Sequence, residues 1–423
     1  MAKKKKEKNF SSFLNNPIDF TLVITILLLL GIGLVMVLSA SSPSALSESG
    51  NSYAYFSKQL IFAILGLFAM AFISKIDYRF YQKFYKHAWI LSVILLVAVK
   101  VIGKEVNGAK RWISVTETLS FQPSEVVKFL MIIFYAGILV KNRDQLGLYG
   151  KGFIKHCLFL APIIGLLLLE PHLSASMVII GIVCIMMIVA GCKFKHFLFT
   201  GLGLGTPLLG AAIALSPYRL ERFVTFLDPW KYAKDEGWQV IQSLYAIGSG
   251  GLFGVGLGDS KQKYLYIPEP HNDFIFSILA EELGFFGCAV VLILFAIFIW
   301  RGILIAMKAP DMFGSLLATG ITALVTIQVI INVAVVTSSM PATGMPLPFF
   351  SYRWNSLIYI TVWNGSIIKY FKSRSKIGKR AVPFSYHFLP KYKGEKVWKI
   401  IVKYNIFNQI LCLERKEWQK IWK

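Results

Sequence analysis

Apolar runs separated by short polar stretches dominate the chain. They lie near residues 18–39, 57–74, 87–102, 126–140, 154–170, 174–191, 196–216, 273–299, 313–336 and 352–371. A helix needs roughly 20 apolar residues to cross the hydrocarbon of a bilayer. Open sheets and bare loops cannot cross, because their backbone amides would go unpaired there. The pattern therefore predicts an all-α polytopic membrane protein of about ten transmembrane helices.

The polar stretches between the runs set the orientation. With the N-terminus inside, Lys75, Arg79, Lys83 and Lys86 fall in an inner loop, as do Lys141, Arg143, Lys151 and Lys155. Lys193 and Lys195, then Arg301 and Lys308, then Lys369, Lys372 and Arg374 follow on the same side. The opposite loop 41–56 has no Lys or Arg. Cytoplasmic loops carry such an excess of cations, so both termini are expected in the cytoplasm. The expected organisation is a basic tail over 1–17, a membrane domain over 18–371 and a basic tail over 372–423. A large extracytoplasmic loop, 217–272, separates spans seven and eight.

Composition agrees with this reading. Hydrophobic residues make up 56% of the chain and charged residues only 16%, where soluble domains carry about 25%. The net charge of +23 follows the inner loops and is not expected to mark a nucleic-acid binder. The five cysteines, Cys157, Cys184, Cys192, Cys288 and Cys412, have no CxxC or zinc-finger spacing, so packing is their expected role. The long first apolar run, after Met-Ala-Lys-Lys-Lys-Lys-Glu-Lys, reads as a retained span rather than a signal peptide.

Four polar sets at span ends are candidates for chemistry, since ionisable groups at membrane depth are costly. The first is Pro268-Glu269-Pro270-His271-Asn272-Asp273, followed by Glu281-Glu282. Asp273 could act as a general base at a half-buried edge or merely cap the helix that follows. The second runs from Asn107 to Ile113 and on to Phe121-Gln122-Pro123-Ser124-Glu125-Val126-Val127-Lys128. Lys104, Lys110 and Arg111 there are unusual for a short outer loop and could meet a diphosphate or pair with Glu105 or Glu117. Trp112 suits the interface, and Glu125 and Lys128 share a helix face at i,i+3. The third is Leu169-Glu170-Pro171-His172-Leu173, and the fourth a Pro-rich re-entrant loop from Thr337 to Ser351. The glycine-rich stretch 248–258 lacks the Lys-Ser/Thr ending of a nucleotide loop and lies outside the cytoplasm. These residues fit an enzyme acting on a lipid-linked anionic substrate and a transporter of such a lipid equally well.

The run Pro268-Glu269-Pro270-His271-Asn272-Asp273 through Gly287 resembles the signature of the SEDS family, which includes FtsW, RodA and SpoVE. So do 108–113, 121–128, the 226–258 loop and 341–352, in order along the chain. The resemblance implies an inverting peptidoglycan glycosyltransferase that polymerises lipid II on the outer face of the bacterial cytoplasmic membrane. It implies a class B penicillin-binding protein and other divisome proteins as partners. The family's catalytic aspartate falls on Asp273, its loop tryptophan on Trp112 and its buried pair on Glu125 and Lys128. Lys104, Lys110, Arg111, His271 and Gln239 complete the expected substrate-binding set. Mg²⁺ or Mn²⁺ is the expected cation, with its ligands unassigned. A lipid II flippase and a non-catalytic scaffold are the rival readings. The basic N-terminus, Val35 to Ser42 and the Glu170-Pro171-His172-Leu173-Ser174 turn look more like FtsW or SpoVE than RodA. Division at the septum is the expected setting, with sporulation the alternative.

Two stretches depart from the family pattern. Where the family reads Gly-Gly-Thr/Ser, this chain has Arg353-Trp354-Asn355. Codons AGG TGG AAC would hold Gly-Gly-Thr in a neighbouring frame, which suggests a local frameshift. From Lys369 to Lys423 there are 15 Lys/Arg against 3 Glu, about half of the net charge. That tail reads as a membrane-surface segment or as out-of-frame sequence.

Overall fold

A computed structural model describes residues 19–352 apart from 107–108, 115–119, 171, 215, 235–236 and 265, together with 361, 364 and 365. The two basic tails, the departure at 353–355 and most of the expected tenth span lie outside the described residues. Among the described residues, eight helices are long and apolar enough to cross a membrane.

Helix α1 (Phe20–Ser49) opens the chain and α2 (Ala54–Ile73) returns. The short α3 (Arg79–Lys83) leads to α4 (Tyr85–Ile102). The expected outer loop 41–56 is mostly helix, because α1 runs through Pro43 to Ser49. Its Ser41, Ser44 and Ala45 are buried. Small side chains let membrane helices approach closely, so a stretch that looks like a polar loop is a packing face.

The next segment adds strands to the helical plan. β1 (Lys104–Val106), β2 (Ala109–Ser114) and β3 (Ser120–Phe121) form an antiparallel sheet in that order. Its register sets Lys104 opposite Trp112 and Glu105 opposite Lys110.

Helix α5 (Pro123–Lys141) follows, buried along most of its length. Wide π-type turns at Tyr149–Ile154 lead into α6 (Lys155–Leu169), and α7 (Leu173–Ala190) returns. The expected seventh span is segmented into α8 (Phe194–Thr200), π-type turns at Gly201–Gly205 and α9 (Thr206–Ala214). Three glycines within five residues weaken a regular helix there.

The described residues of the long 217–272 loop include regular helices. The loop contains α10 (Pro217–Leu227) and α11 (Trp238–Gly250). Then come α12 (Ile275–Met307) and α13 (Met312–Val336). Helices α5, α7 and α13 pack together as the centre of the bundle. Gly320 of α13 lies against Ile132 of α5 and Met186 of α7, and a side chain there would clash with both. At one end of the bundle, Arg301 pairs with Asp19 at 2.6 Å and Tyr78 donates to Asp311 at 2.6 Å, tying span ends together.

Helix α12 is broken at Gly284, which has φ 63° and ψ −163°. The glycine-rich stretch fits into this break. Val255 and Gly256 N–H donate to the carbonyls of Glu281 and Glu282, while Phe285 and Phe286 N–H donate to those of Gly251 and Leu252. A Cβ on Gly254 would strike the Glu282 carbonyl, and one on Gly284 would strike the Gly254 backbone. The carboxylate of Glu281 accepts from Ser260 Oγ and, at 3.0 Å, from Lys261 N. The buried Glu282 pairs with buried Lys263 at 3.1 Å and accepts from Ser39 of α1 at 2.6 Å. The glycines and the Glu-Glu pair thus fasten the loop to α12.

Candidate active site

Asp273 stands two residues before α12 and is half-buried. It is not the helix cap. Phe274 occupies that position without a side-chain cap bond, so the capping alternative does not describe it. The Asp273 carbonyl accepts from Nδ2 of Asn332 at 2.8 Å, and the same Nδ2 donates to the Met345 carbonyl at 2.9 Å. Oδ2 of Asp273 faces Gly344, 3.1 Å from where a Cβ would stand.

The loop that delivers Asp273 is suspended from α11. Trp238 Nε1 donates to the Tyr266 carbonyl at 2.7 Å, and Gln239 Nε2 to the Pro268 carbonyl at 3.3 Å. His271 is buried, and its ring centroid lies 4.8 Å from that of Tyr55 and 5.6 Å from that of Tyr352. Its carbonyl accepts from Tyr352 N at 2.8 Å. Burial pushes the His271 pKa down despite Glu269 and Glu48 nearby, so a neutral imidazole supports the loop by packing.

The re-entrant loop is held carbonyl by carbonyl. Ala342 O accepts from Arg222 at 3.0 Å and Ser351 O from Gln59 of α2 at 3.2 Å. Phe349 O rests on Gly33 of α1, where any side chain would clash. Among the described residues, the non-glycine positions with left-handed φ are Glu269 (45°), Ser338 (52°) and Phe349 (68°). All three lie on the two loops that meet at Asp273. Such backbone strain persists where surrounding structure over-determines it and clusters at active sites.

Glu125 and Lys128 form a buried ion pair on α5 at 2.8 Å. At the α5 N-terminus, Gln122 lies 2.6 Å from Nε2 of His172, whose Nδ1 accepts from Ala175 N and caps α7. With Nδ1 an acceptor, a neutral ring carries its proton on Nε2. Gln122 Nε2 is the atom that faces this ring nitrogen, so the amide must be turned over for its oxygen to accept that proton.

Cations from three segments, α4, β2 and α10, serve the end of α6. Lys100 Nζ, Arg111 Nε and Arg219 Nη2 donate to the carbonyls of Leu169, Glu170 and Leu168, at 3.2, 3.3 and 3.1 Å. Cations at a helix C-terminus complement its dipole and its orphan carbonyls. Arg111, expected at the diphosphate, therefore also anchors the sheet to α6, and Lys104 is exposed on β1. Trp112 is half-buried on β2.

Burial raises the carboxyl of Glu170, in this turn, to about 7, although Arg111 and Lys100 act to lower it. The folded protein thus holds this proton more tightly than the unfolded chain, whose value is near 4.5. Its stabilising contribution is full below that value and is lost as pH rises through about 7. Glu170→Gln is expected to flatten the pH dependence of the melting temperature over this window and to raise it at pH 8. A melt series in detergent checks this, and an unchanged slope refutes it.

Among the described residues, no group of three or more His, Cys, Asp or Glu side chains could hold a metal ion. Asn332 and Lys263 were not singled out by the sequence reading, and Gly344 entered it only as the glycine of the re-entrant loop. An amide near the end of a predicted span was the available signal for Asn332.

The chain is similar to known proteins over most of its length. The model of a family of cell cycle proteins, FtsW, RodA and SpoVE, matches residues 20–376. Stage V sporulation protein E of Bacillus subtilis is 42% identical, over 83% of this chain and 96% of that protein. A probable peptidoglycan glycosyltransferase FtsW of Trichlorobacter lovleyi is 39% identical, over 80% of this chain and 89% of its own length. Among solved structures, a chain from work on how a peptidoglycan synthase complex coordinates polymerization and crosslinking is 29% identical. It matches with a TM-score of 0.71 over 85% of this chain and 99% of its own. The rod shape determining protein RodA of Thermus thermophilus matches with a TM-score of 0.64 and 26% identity, over 85% of this chain and 99% of its own. This chain is a membrane-integral protein of the FtsW/RodA/SpoVE family of cell cycle proteins.

Proposed function

We propose that this chain is an inverting peptidoglycan glycosyltransferase that polymerises lipid II on the outer face of the cytoplasmic membrane. The observation that carries the reading is Asp273, a half-buried carboxylate at the outer end of α12, held through its own carbonyl and facing a glycine. The 4-hydroxyl of one lipid-linked glycan attacks the anomeric carbon of another. Asp273 takes the hydroxyl proton, the new glycosidic bond forms, and the bond to undecaprenyl diphosphate breaks with its electron pair leaving on the diphosphate. Attack from the opposite face inverts the anomeric centre. The strong likeness to proteins named FtsW and SpoVE supports this chemistry.

Lys104, Lys110 and Arg111 are the proposed cations for the departing diphosphate, with Trp112, Gln239, His271, Glu125 and Lys128 shaping or supporting the substrate path. Mg²⁺ or Mn²⁺ would come with the diphosphate, since Mg²⁺ binds through one or two carboxylates plus substrate phosphates. A class B penicillin-binding protein would supply crosslinking, and the division septum with its other divisome proteins is the proposed location.

The test is to purify the chain with a cognate class B penicillin-binding protein and supply labelled lipid II and Mg²⁺ or Mn²⁺. Moenomycin silences contaminating class A enzymes. Glycan polymer on a gel is the expected result. Lipid II crossing vesicle membranes with no polymer would instead make the chain a flippase. Absence of both, with partner binding intact, would make it a scaffold.

A further inference from the structure

We propose that Asn332 is the positioning residue of Asp273: one buried amide sets both the base and the backbone wall that faces it. This rests on the reading of Asp273 as the base. Asn332 lies on the last two turns of α13 and is 1% exposed. A polar side chain is costly in such a place unless its hydrogen bonds are made. Its Nδ2 serves two carbonyls from separate segments, Asp273 59 residues before it and Met345 13 residues after it.

Each of these bonds bears on the site. Fixing the Asp273 carbonyl restricts the peptide from which its carboxylate hangs. Fixing the Met345 carbonyl holds the preceding residue, Gly344, in front of Asp273 Oδ2. Asn332 joins the Asp273 loop to the re-entrant loop alongside the Tyr352–His271 backbone bond. That bond lies at the C-terminal end of the re-entrant loop, eight residues after Gly344.

The amide is poorly explained by stability alone. Asn332 Oδ1 is buried without a hydrogen-bond partner. A half-satisfied buried amide is worse for folding than an apolar side chain of similar shape. Places where a local rule is broken without an evident gain in stability are expected at functional sites. The two donors are what a leucine could not supply, and both are spent on the loops that meet at Asp273.

The test uses the full-length chain with its penicillin-binding partner and compares Asn332→Leu, and Asn332→Ala as a second variant, with the unaltered protein. Turnover of labelled lipid II is expected to fall roughly 10–100-fold, on the scale that small misplacements of reacting groups cause. Half-saturating lipid II should stay within about twofold, because a positioning loss acts on kcat rather than on uniform binding. Amide hydrogen exchange should quicken in peptides spanning 268–276 and 341–350 and nowhere else. Turnover close to that of the unaltered chain would overturn the proposal. So would a parallel loss of lipid II binding, or failure of both variants to fold, since Asn332 would then be a general structural residue. If the unaltered chain makes no polymer, the functional reading fails separately. The exchange data then decide on the clamp alone, with faster exchange confined to the two loops supporting it and unchanged exchange refuting it.

Discussion

Asp273→Asn is expected to lower glycan polymerisation by roughly 10²–10⁴-fold, the usual contribution of a positioned base, and to leave the folded protein intact. The structure separates these two effects. Asn332 holds the backbone carbonyl of Asp273, not its carboxylate, so the clamp survives the substitution. Phe274 sits at the cap position of α12, so no cap bond of that helix is lost. Asn nearly matches Asp in shape, and Gly344 leaves its amide room. The variant should therefore appear in the membrane in normal amount, melt as the native protein does and bind its partner. Asp273→Glu should also be poor, because one more methylene drives the carboxylate toward the Gly344 backbone. Polymer made by Asp273→Asn at a rate within a few-fold of the unaltered chain would place the base elsewhere.

The spans were legible because lipid imposes one simple rule on sequence, a long apolar run for each crossing. Where that rule blurs, the reading slipped. The Ser-rich end of α1 looked like a loop, yet Ser41 and Ala45 are buried packing residues. The glycines of 201–205 looked like part of a regular span but divide it into short pieces. The sheet at 104–121 is built from strands of three, six and two residues, too short to show alternation.

At the site, contiguous motifs were readable and distant partners were not. Glu125 and Lys128 are three residues apart on one helix, so spacing alone pairs them. Asp273 stood out because it is ionisable at a span end. Asn332 looked like any span residue, since its partners lie in other segments. Lys263 was one of six cations in a long loop, and nothing local marks it for Ser39, 224 residues away. The glycine-rich stretch resembled a nucleotide loop because close backbone approach asks for glycine whatever is approached. Here it is the break in α12.

Lys263 leads to the largest expected loss of stability. Lys263→Met should destabilise the protein by about 3–5 kcal/mol, the range seen when a buried pair loses one partner. The pair is almost fully enclosed, with side-chain exposures of 4% and 0%. Nζ of Lys263 also donates to Ser39 at 3.1 Å and to the Gly258 carbonyl. Removing the ammonium strands Glu282 inside the protein, where its other oxygen already lacks a hydrogen-bond partner. Glu282→Leu alone strands the ammonium instead, so it should cost a similar amount. The double variant Lys263→Met with Glu282→Leu should recover much of the loss, because a packed apolar pair replaces a buried ionic one at little net cost. Melting of the four proteins in detergent gives the coupling directly. Additive single losses would mean that the two charges do not meet. The same series reaches the chemistry. The 251–263 segment is stitched to α12 eight to thirteen residues after Asp273, so each single variant should lose turnover as well as stability. If the double variant melts normally but stays slow, the ion pair sets the angle at which α12 presents Asp273. If it regains both, the pair serves only to seat the loop.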